Sequence, residues 1–215
     1  MNTRTLGYLK ALIFVVCLLP VARAAWIVLH GMAVNPIEFI TRSLGTWTLV
    51  MLMLTLSITP LRRLTGWNAL LKFRRMLGLF AFFYVTLHFL TYIWLDKFFD
   101  LHAIVKDIAK RPFITVGFAA FVMLIPLAAT STDAMMRRLK RNWGKLHKLV
   151  YVIGVAGVVH YWWLVKRDIT QPALYASVLA VLLGYRLWQS AGKQALSRLQ
   201  WGHAKQTPAE GVARR

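Results

Sequence analysis

The chain has 215 residues, 58% of them hydrophobic, and a mean hydropathy of +0.54. That is too apolar for a soluble domain of this size and points to a polytopic membrane protein. The net charge of +20 sits between apolar runs, where it serves topology and lipid-headgroup contacts and not nucleic-acid binding. A single cysteine, Cys17, excludes an intrachain disulfide, a cysteine-rich zinc or iron–sulfur centre and covalent attachment of a c-type haem. None of the seven acids falls in the middle of an expected span, which weighs against proton-coupled transport.

Crossing the hydrocarbon layer takes ~20 apolar residues. Six candidate spans follow in order: Leu6–Leu29, Leu44–Thr59, Met76–Leu95, Phe113–Thr130, Leu146–Val165 and Pro172–Trp188. In the first, Arg4 and Lys10, a short apolar stretch and Ala22-Arg-Ala24 imitate a cleavable secretory leader. Apolar character continues through Trp26 to Leu29, which favours a retained span.

Lys and Arg set the orientation. Seventeen of them, in the N-terminus, the second and fourth connections and the tail, lie on one side, and seven lie on the other. The positive-inside rule places both termini in the cytoplasm. Nine tryptophans fall mainly at the two boundaries as an aromatic belt. Leu61, Leu64, Trp67 and Leu71 have the spacing of a helix on the inner surface, and so do Met135, Met136 and Leu139 behind an N-cap in Ser131-Thr-Asp133. On the outside, Phe98, Leu101, Ile104, Val105 and Ile108 form one apolar helical face. Residues 1–190 read as an all-α, six-span domain and 191–215 as a basic cytoplasmic tail, irregular from Gly202 onward. No internal repeat is evident.

The histidines carry the chemistry. At 1.5 Å per residue, His88 lies ~18 Å from the inner end of span three and His160 ~21 Å from that of span five. Two membrane histidines at matched depth on parallel-running spans fit the two axial positions of one haem b iron. Gly78, Gly154, Ala156 and Gly157 lie on the same two spans, where small residues leave room for a flat porphyrin or for close helix packing. His147, at the inner end of span five, could hold a second haem. It stands ~140° from His160 on an ideal helix, and the position opposite it in span three is Arg74. Its second ligand is then Met76, water or none. Arg186 reads as snorkelling to the inner surface, or as a contact to a haem propionate. His30, His102 and His203 read as surface residues, and Met51, Met53 and Met123 as packing.

Three motifs carry a family resemblance: Arg74-Arg-Met-Leu-Gly through Tyr84 to His88, Thr130-Ser-Thr-Asp with Arg137-Arg-Leu, and Trp143-Gly-Lys-Leu-His147 followed by His160-Tyr-Trp. They resemble the MsrQ (formerly YedZ) family, the haem-binding membrane subunits of bacterial methionine sulfoxide reductase systems. That family is similar to the transmembrane domain of ferric reductases and NADPH oxidases, which usually carry two histidines on each ligand helix. The inner one is missing here from span three. The resemblance implies that His88, His147 and His160 are the haem-linked residues. It also implies an association with FMN and electrons taken from the quinone pool or a cytoplasmic flavin reductase. The implied acceptor is the periplasmic molybdenum subunit MsrP, in a heterodimer that repairs methionine sulfoxide in envelope proteins. The chain would be the electron-transfer subunit and would not carry the sulfoxide-reducing site. The alternative is a non-redox scaffold or small transporter whose histidines line a polar cavity.

Overall fold

The computed structural model describes residues 2–165 and 167–206, with side chains described as far as Gly192. The expected tail from Thr207 onward, Met1 and Lys166 lie outside the described residues. The fold is all-α, with no strand among the described residues. Helix α1 spans Thr3–Leu29, α2 Pro36–Thr65 and α3 Leu71–Thr91. A π-helical turn, Tyr92–Asp96, extends α3 outward. Then come α4 (Leu101–Lys110), α5 (Pro112–Ala129), α6 (Asp133–Leu139), α7 (Arg141–Leu146), α8 (Leu149–Leu164) and α9 (Thr170–Gln206). Helices α1, α2, α3 with its flanking turns, and α5 are long and apolar enough to cross a membrane. The six-span expectation adds α8 and α9 to these four.

Local chemistry explains most boundaries. Asn35 caps α2 by accepting from the Glu38 amide, and Pro36 opens it. Thr132 supplies the N-cap expected near Ser131-Thr-Asp133 by accepting from the Met135 amide. Asp100 does the same for α4 through Ala103.

Three boundaries depart from the sequence reading. The inner surface helix expected over Leu61–Leu71 does not form as a separate element, because α2 runs through Pro60 to Thr65. Proline at that position removes the donor for the Leu56 carbonyl. Arg186 Nη2 of α9 donates to that carbonyl at 2.9 Å and replaces the lost bond. Gly66, at φ +71, then ends α2, and a 3-10 turn, Asn68–Leu70, leads straight into α3. The second departure is in span five, which is broken at His147–Lys148 between α7 and α8, so its two histidines do not share one ideal helix. The third is at the C-terminal end. Helix α9 continues past Trp188 to Gln206, so the stretch expected to be irregular from Gly202 is helical as far as it is described.

The bundle is built from two closely packed antiparallel pairs, α2 with α3 and α5 with α8. Contacts of α3 with α5 and of α2 with α8 close them into a ring of four, in which α3 and α8 oppose each other across the middle. Leu44, Leu49, Met51, Leu52 and Leu56 of α2 are buried at its centre, and Met51, Met53 and Met123 pack there as expected. Helix α1 lies on the flank. It is fastened where the fully buried Tyr84 donates its phenol to the Cys17 carbonyl at 2.6 Å.

The two pairs repeat each other, a regularity the sequence reading missed. Gly45-(x)4-Val-Met-Leu in α2 recurs as Gly117-(x)4-Val-Met-Leu in α5, and His88 and His160 stand at the same offset from those glycines.

At the end of the bundle that carries His88 and His160, α4 folds back against α5. Ile104 is buried against it, while Leu101 and Val105 of the same expected apolar face are exposed. An ion network holds this helix. Lys97 Nζ lies 2.8 Å from Asp107, Arg111 Nε lies 3.3 Å from it, and the Tyr92 phenol donates to it. The hydrogen bond from Lys97 holds the Asp107 carboxyl below its ordinary value of 3.8, and the same bond raises Lys97. A depressed carboxyl stabilises the fold above its unfolded pKa, and that stability is lost as pH falls through the folded value. Asp107→Asn should therefore cost roughly 1 kcal/mol near neutral pH, the scale of a partly exposed ion network. Unfolding midpoints of the two proteins should converge as pH drops below 3.8. A gap that persists in acid would show that the network does not hold α4.

Candidate functional site

His88 near the C-terminal end of α3 and His160 near the C-terminal end of α8 point into one cavity inside the ring. Their ring centres are 6.3 Å apart, with planes at 77°. The matched depths read from the sequence therefore correspond to rings that meet. The cavity, ≈ 340 Å³, is lined by α2, α3, α5 and α8, mostly by apolar side chains such as Leu49, Val85, Phe89, Phe118 and Leu124. Arg42, Asp96 and Arg111 stand on its wall.

Each ring is fixed by a backbone carbonyl of the neighbouring helix. His88 Nδ1 lies 2.8 Å from the Thr41 carbonyl of α2, and His160 Nδ1 lies 2.6 Å from the Phe113 carbonyl of α5. A carbonyl can only accept, so each imidazole carries its proton on Nδ1 and keeps its lone pair on Nε2. Neither Nε2 has a hydrogen-bond partner among the described residues. The separation from carbonyl to histidine is 47 residues in both halves.

Two glycines make this possible. A Cβ on Gly45 would lie 3.1 Å from His88 Cε1, and one on Gly117 would lie 2.6 Å from His160 Nδ1. Any side chain there would push into the ring. Thr41, Gly45, Phe113 and Gly117 were missed in the sequence, although the common offset to each histidine was legible in it. Of the small residues singled out from the sequence, Gly157 lines the cavity. Gly78 and Gly154 have room for a Cβ at ordinary distances, 3.7 Å from Thr55 and 3.4 Å from Leu179, so they serve helix packing. Ala156 packs against the core.

His147 is not brought to this cavity. Its ring stacks on Trp143 at 4.0 Å, and its Nε2 lies 3.1 Å from Thr130 Oγ1. That hydroxyl gives its proton to the Pro126 carbonyl at 2.6 Å, so it can only accept from His147. His147 therefore carries its proton on Nε2, the opposite tautomer to the other two. Its counterpart at the repeat offset is Arg75, which pairs with Asp133 at 2.9 Å. His30 and His102 are exposed as expected, with His30 stacked on Trp26, and the His203 side chain lies outside the described residues. Arg186 points inward instead of snorkelling. It bonds to the Tyr151 phenol and to the Leu56 carbonyl.

These residues fit a haem. Two imidazoles sharing one metal at about 2.0–2.1 Å per bond have ring centres about 6 Å apart. Nε2 lone pairs with Nδ1–H tied to a carbonyl are the usual state of a metal-binding histidine. Among the described residues no cluster of three or more His, Cys, Asp or Glu could hold a bare ion. Two histidines in an apolar slot suit a metal that brings its own equatorial ligands.

Comparison with known proteins agrees. Residues 43–158 match the ferric reductase like transmembrane component family. The chain is 53% identical over 198 residues to the protein-methionine-sulfoxide reductase heme-binding subunit MsrQ of Bordetella pertussis, covering 89% of this chain and 96% of that one. It is 64% identical over 157 residues to the protein of the same name from Ralstonia nicotianae, covering 72% of each. The corresponding protein of Xanthomonas campestris pv. campestris is 55% identical over 159 residues, covering 74% of this chain and 73% of that one.

The glycine contacts are testable. Gly117→Ala should displace the His160 ring and weaken haem retention by roughly 10–100-fold, the usual cost of losing a partner that orients a metal ligand. Gly45→Ala should have a smaller effect, and Gly78→Ala none. The ratio of haem to protein absorbance in purified material measures all three. Equal retention in Gly117→Ala and Gly78→Ala would refute the role of Gly117.

Proposed function

The chain belongs to the MsrQ family of haem-binding membrane subunits, within the ferric reductase-like group, and from that premise we propose that it carries electrons outward across the bacterial inner membrane through a haem b held by His88 and His160. The observation that carries the reading is the pair of facing imidazoles, 6.3 Å apart, each with Nδ1 committed to a carbonyl. Bound haem would supply a one-electron carrier, cycling between ferric and ferrous iron. The protein's part is to present two Nε2 lone pairs and fix their tautomers. The apolar wall keeps water from them, since polarity and burial tune such a potential. Arg42 and Arg111, paired here with Glu38 and Asp107, stand on the cavity wall and could hold the carboxylates of a bound haem.

The donor in this reading is the quinone pool or a cytoplasmic flavin reductase. The acceptor is the periplasmic molybdopterin subunit MsrP, which reduces methionine sulfoxide in envelope proteins as the partner in a heterodimer. Support comes from the names of the relatives and from the site's position at the end of the bundle that the distribution of Lys and Arg assigns to the outside. His147 is assigned to the inner segment of the path, with a second haem there if its bond to Thr130 is released. FMN is carried over from the family, and no residue is assigned to it. Residues 1–190 form the membrane domain and 191–215 the basic tail, with both termini cytoplasmic.

Purified wild-type protein should show a reduced b-type haem spectrum that is lost in His88→Ala and in His160→Ala, whereas His30→Ala keeps it. Full retention in both cavity variants would sink the ligand assignment. The partner is tested separately. Haem reduced with a quinol should reoxidise when the purified molybdenum subunit and methionine sulfoxide are added together, and a haem that stays reduced under those conditions would rule that acceptor out.

A further inference from the structure

The inner ends of α2, α8 and α9 border a second, open cavity of ≈ 580 Å³ that the haem reading does not use. Three cations line it: Arg63 from α2, Lys148 at the start of α8 and Arg186 from α9. Among the described residues no carboxylate lines it and none pairs with any of the three. Arg186 is the fixed part. Its guanidinium donates to the Tyr151 phenol and to the Leu56 carbonyl and lies 4.9 Å from the Tyr151 ring centre. Its Nε is buried without a partner. An arginine so placed, with two more cations at the same mouth and no counter-charge among the described residues, calls for an anion.

We propose that this cavity binds a phosphate-ester anion at the inner membrane boundary. Guanidinium and ammonium groups with nearby hydroxyls are the standard donors to phosphate oxygens, and Thr59 and Tyr185 add hydroxyls to the wall. Basic pockets between helices on the positively charged side of a membrane take anionic headgroups. Leu187, exposed beside the cations, offers a flank along which an acyl chain could lie. The phosphate can come from an anionic phospholipid of that leaflet or from a soluble phosphate ester. The proposal does not depend on the haem assignment.

The test is native mass spectrometry of the full chain, purified in neutral detergent and stripped of lipid. Phosphatidylglycerol, phosphatidylcholine and inorganic phosphate are each added in turn. The variants are Arg63→Gln and Lys148→Gln, whose side chains are exposed. Neither side chain takes part in the bonds that hold Arg186. Circular dichroism confirms that both keep their helicity. The expected result is saturable binding of phosphatidylglycerol over phosphatidylcholine, weakened roughly fivefold by each substitution, the effect of one cation beside an anionic headgroup. Phosphatidylglycerol displaced by inorganic phosphate identifies the lipid as the source. Binding of inorganic phosphate alone, weakened by the same substitutions, identifies a soluble phosphate ester. Equal binding of the two lipids without phosphate binding, or binding that ignores both substitutions, would overturn the proposal.

Discussion

The site depends on a hydrogen bond made twice, from a histidine Nδ1 on one helix to a backbone carbonyl on the next. In a helix the Thr41 carbonyl already accepts from the amide of Gly45, and the Phe113 carbonyl from that of Gly117. The second lone pair of each carbonyl is open only if the residue four positions on leaves space beside it. Glycine does so, and both positions are glycine. One residue type thus brings the ring close enough to bond, and the bond decides which nitrogen keeps its lone pair. Packing alone would orient the rings without choosing a tautomer.

The ring of four helices makes this arrangement possible across a gap. The histidines sit on α3 and α8, which oppose each other, and the carbonyls that hold them sit on α2 and α5, which complete the ring. Each half therefore builds one ligand and its own support, and the cavity forms where the halves meet. Both supports lie on helices, so the positions are set by rigid elements, as a preorganised cofactor site requires. The Arg186 bond to Leu56 supports the same helix, because it satisfies the carbonyl that Pro60 leaves without its donor while α2 runs on to Thr65.

Much of this was legible in the sequence because membrane helices obey simple counts. Apolar length gave the long helices, four of which can cross a membrane, rise per residue gave the matched depths of His88 and His160, and the Ser131-Thr-Asp133 cap gave a helix start that the structure keeps. What failed were features decided by contacts between segments. The second span was expected to stop at Thr59, and the bond from a helix far along the chain that satisfies α2 beside Pro60 has no local signal. The break at His147 was hidden because Lys-Leu-His-Lys-Leu continues a helical pattern without proline or glycine. The repeat went unseen because few identities survive between its halves, chiefly one glycine, the Val-Met-Leu triplet and the histidine. Those few are the positions the geometry constrains.

The repeat also gives the inner end its meaning. If both halves had kept a second histidine there, they would face each other as His88 and His160 do. Instead one half has Arg75, turned to Asp133, and the other has His147, stacked on Trp143 and bonded to Thr130. Trp143 is itself fastened to that segment, its Nε1 donating to the Thr130 carbonyl at 2.9 Å. The inner positions thus satisfy their polar groups within their own surroundings, while the outer pair leaves two nitrogens open to the cavity. A cofactor at the inner end would have to be held from one half alone, after breaking a bond that fixes the wrong tautomer of His147 for ligation through Nε2. The two halves share a fold, and the difference in how their polar groups are satisfied puts the ligand-ready nitrogens at one end of it.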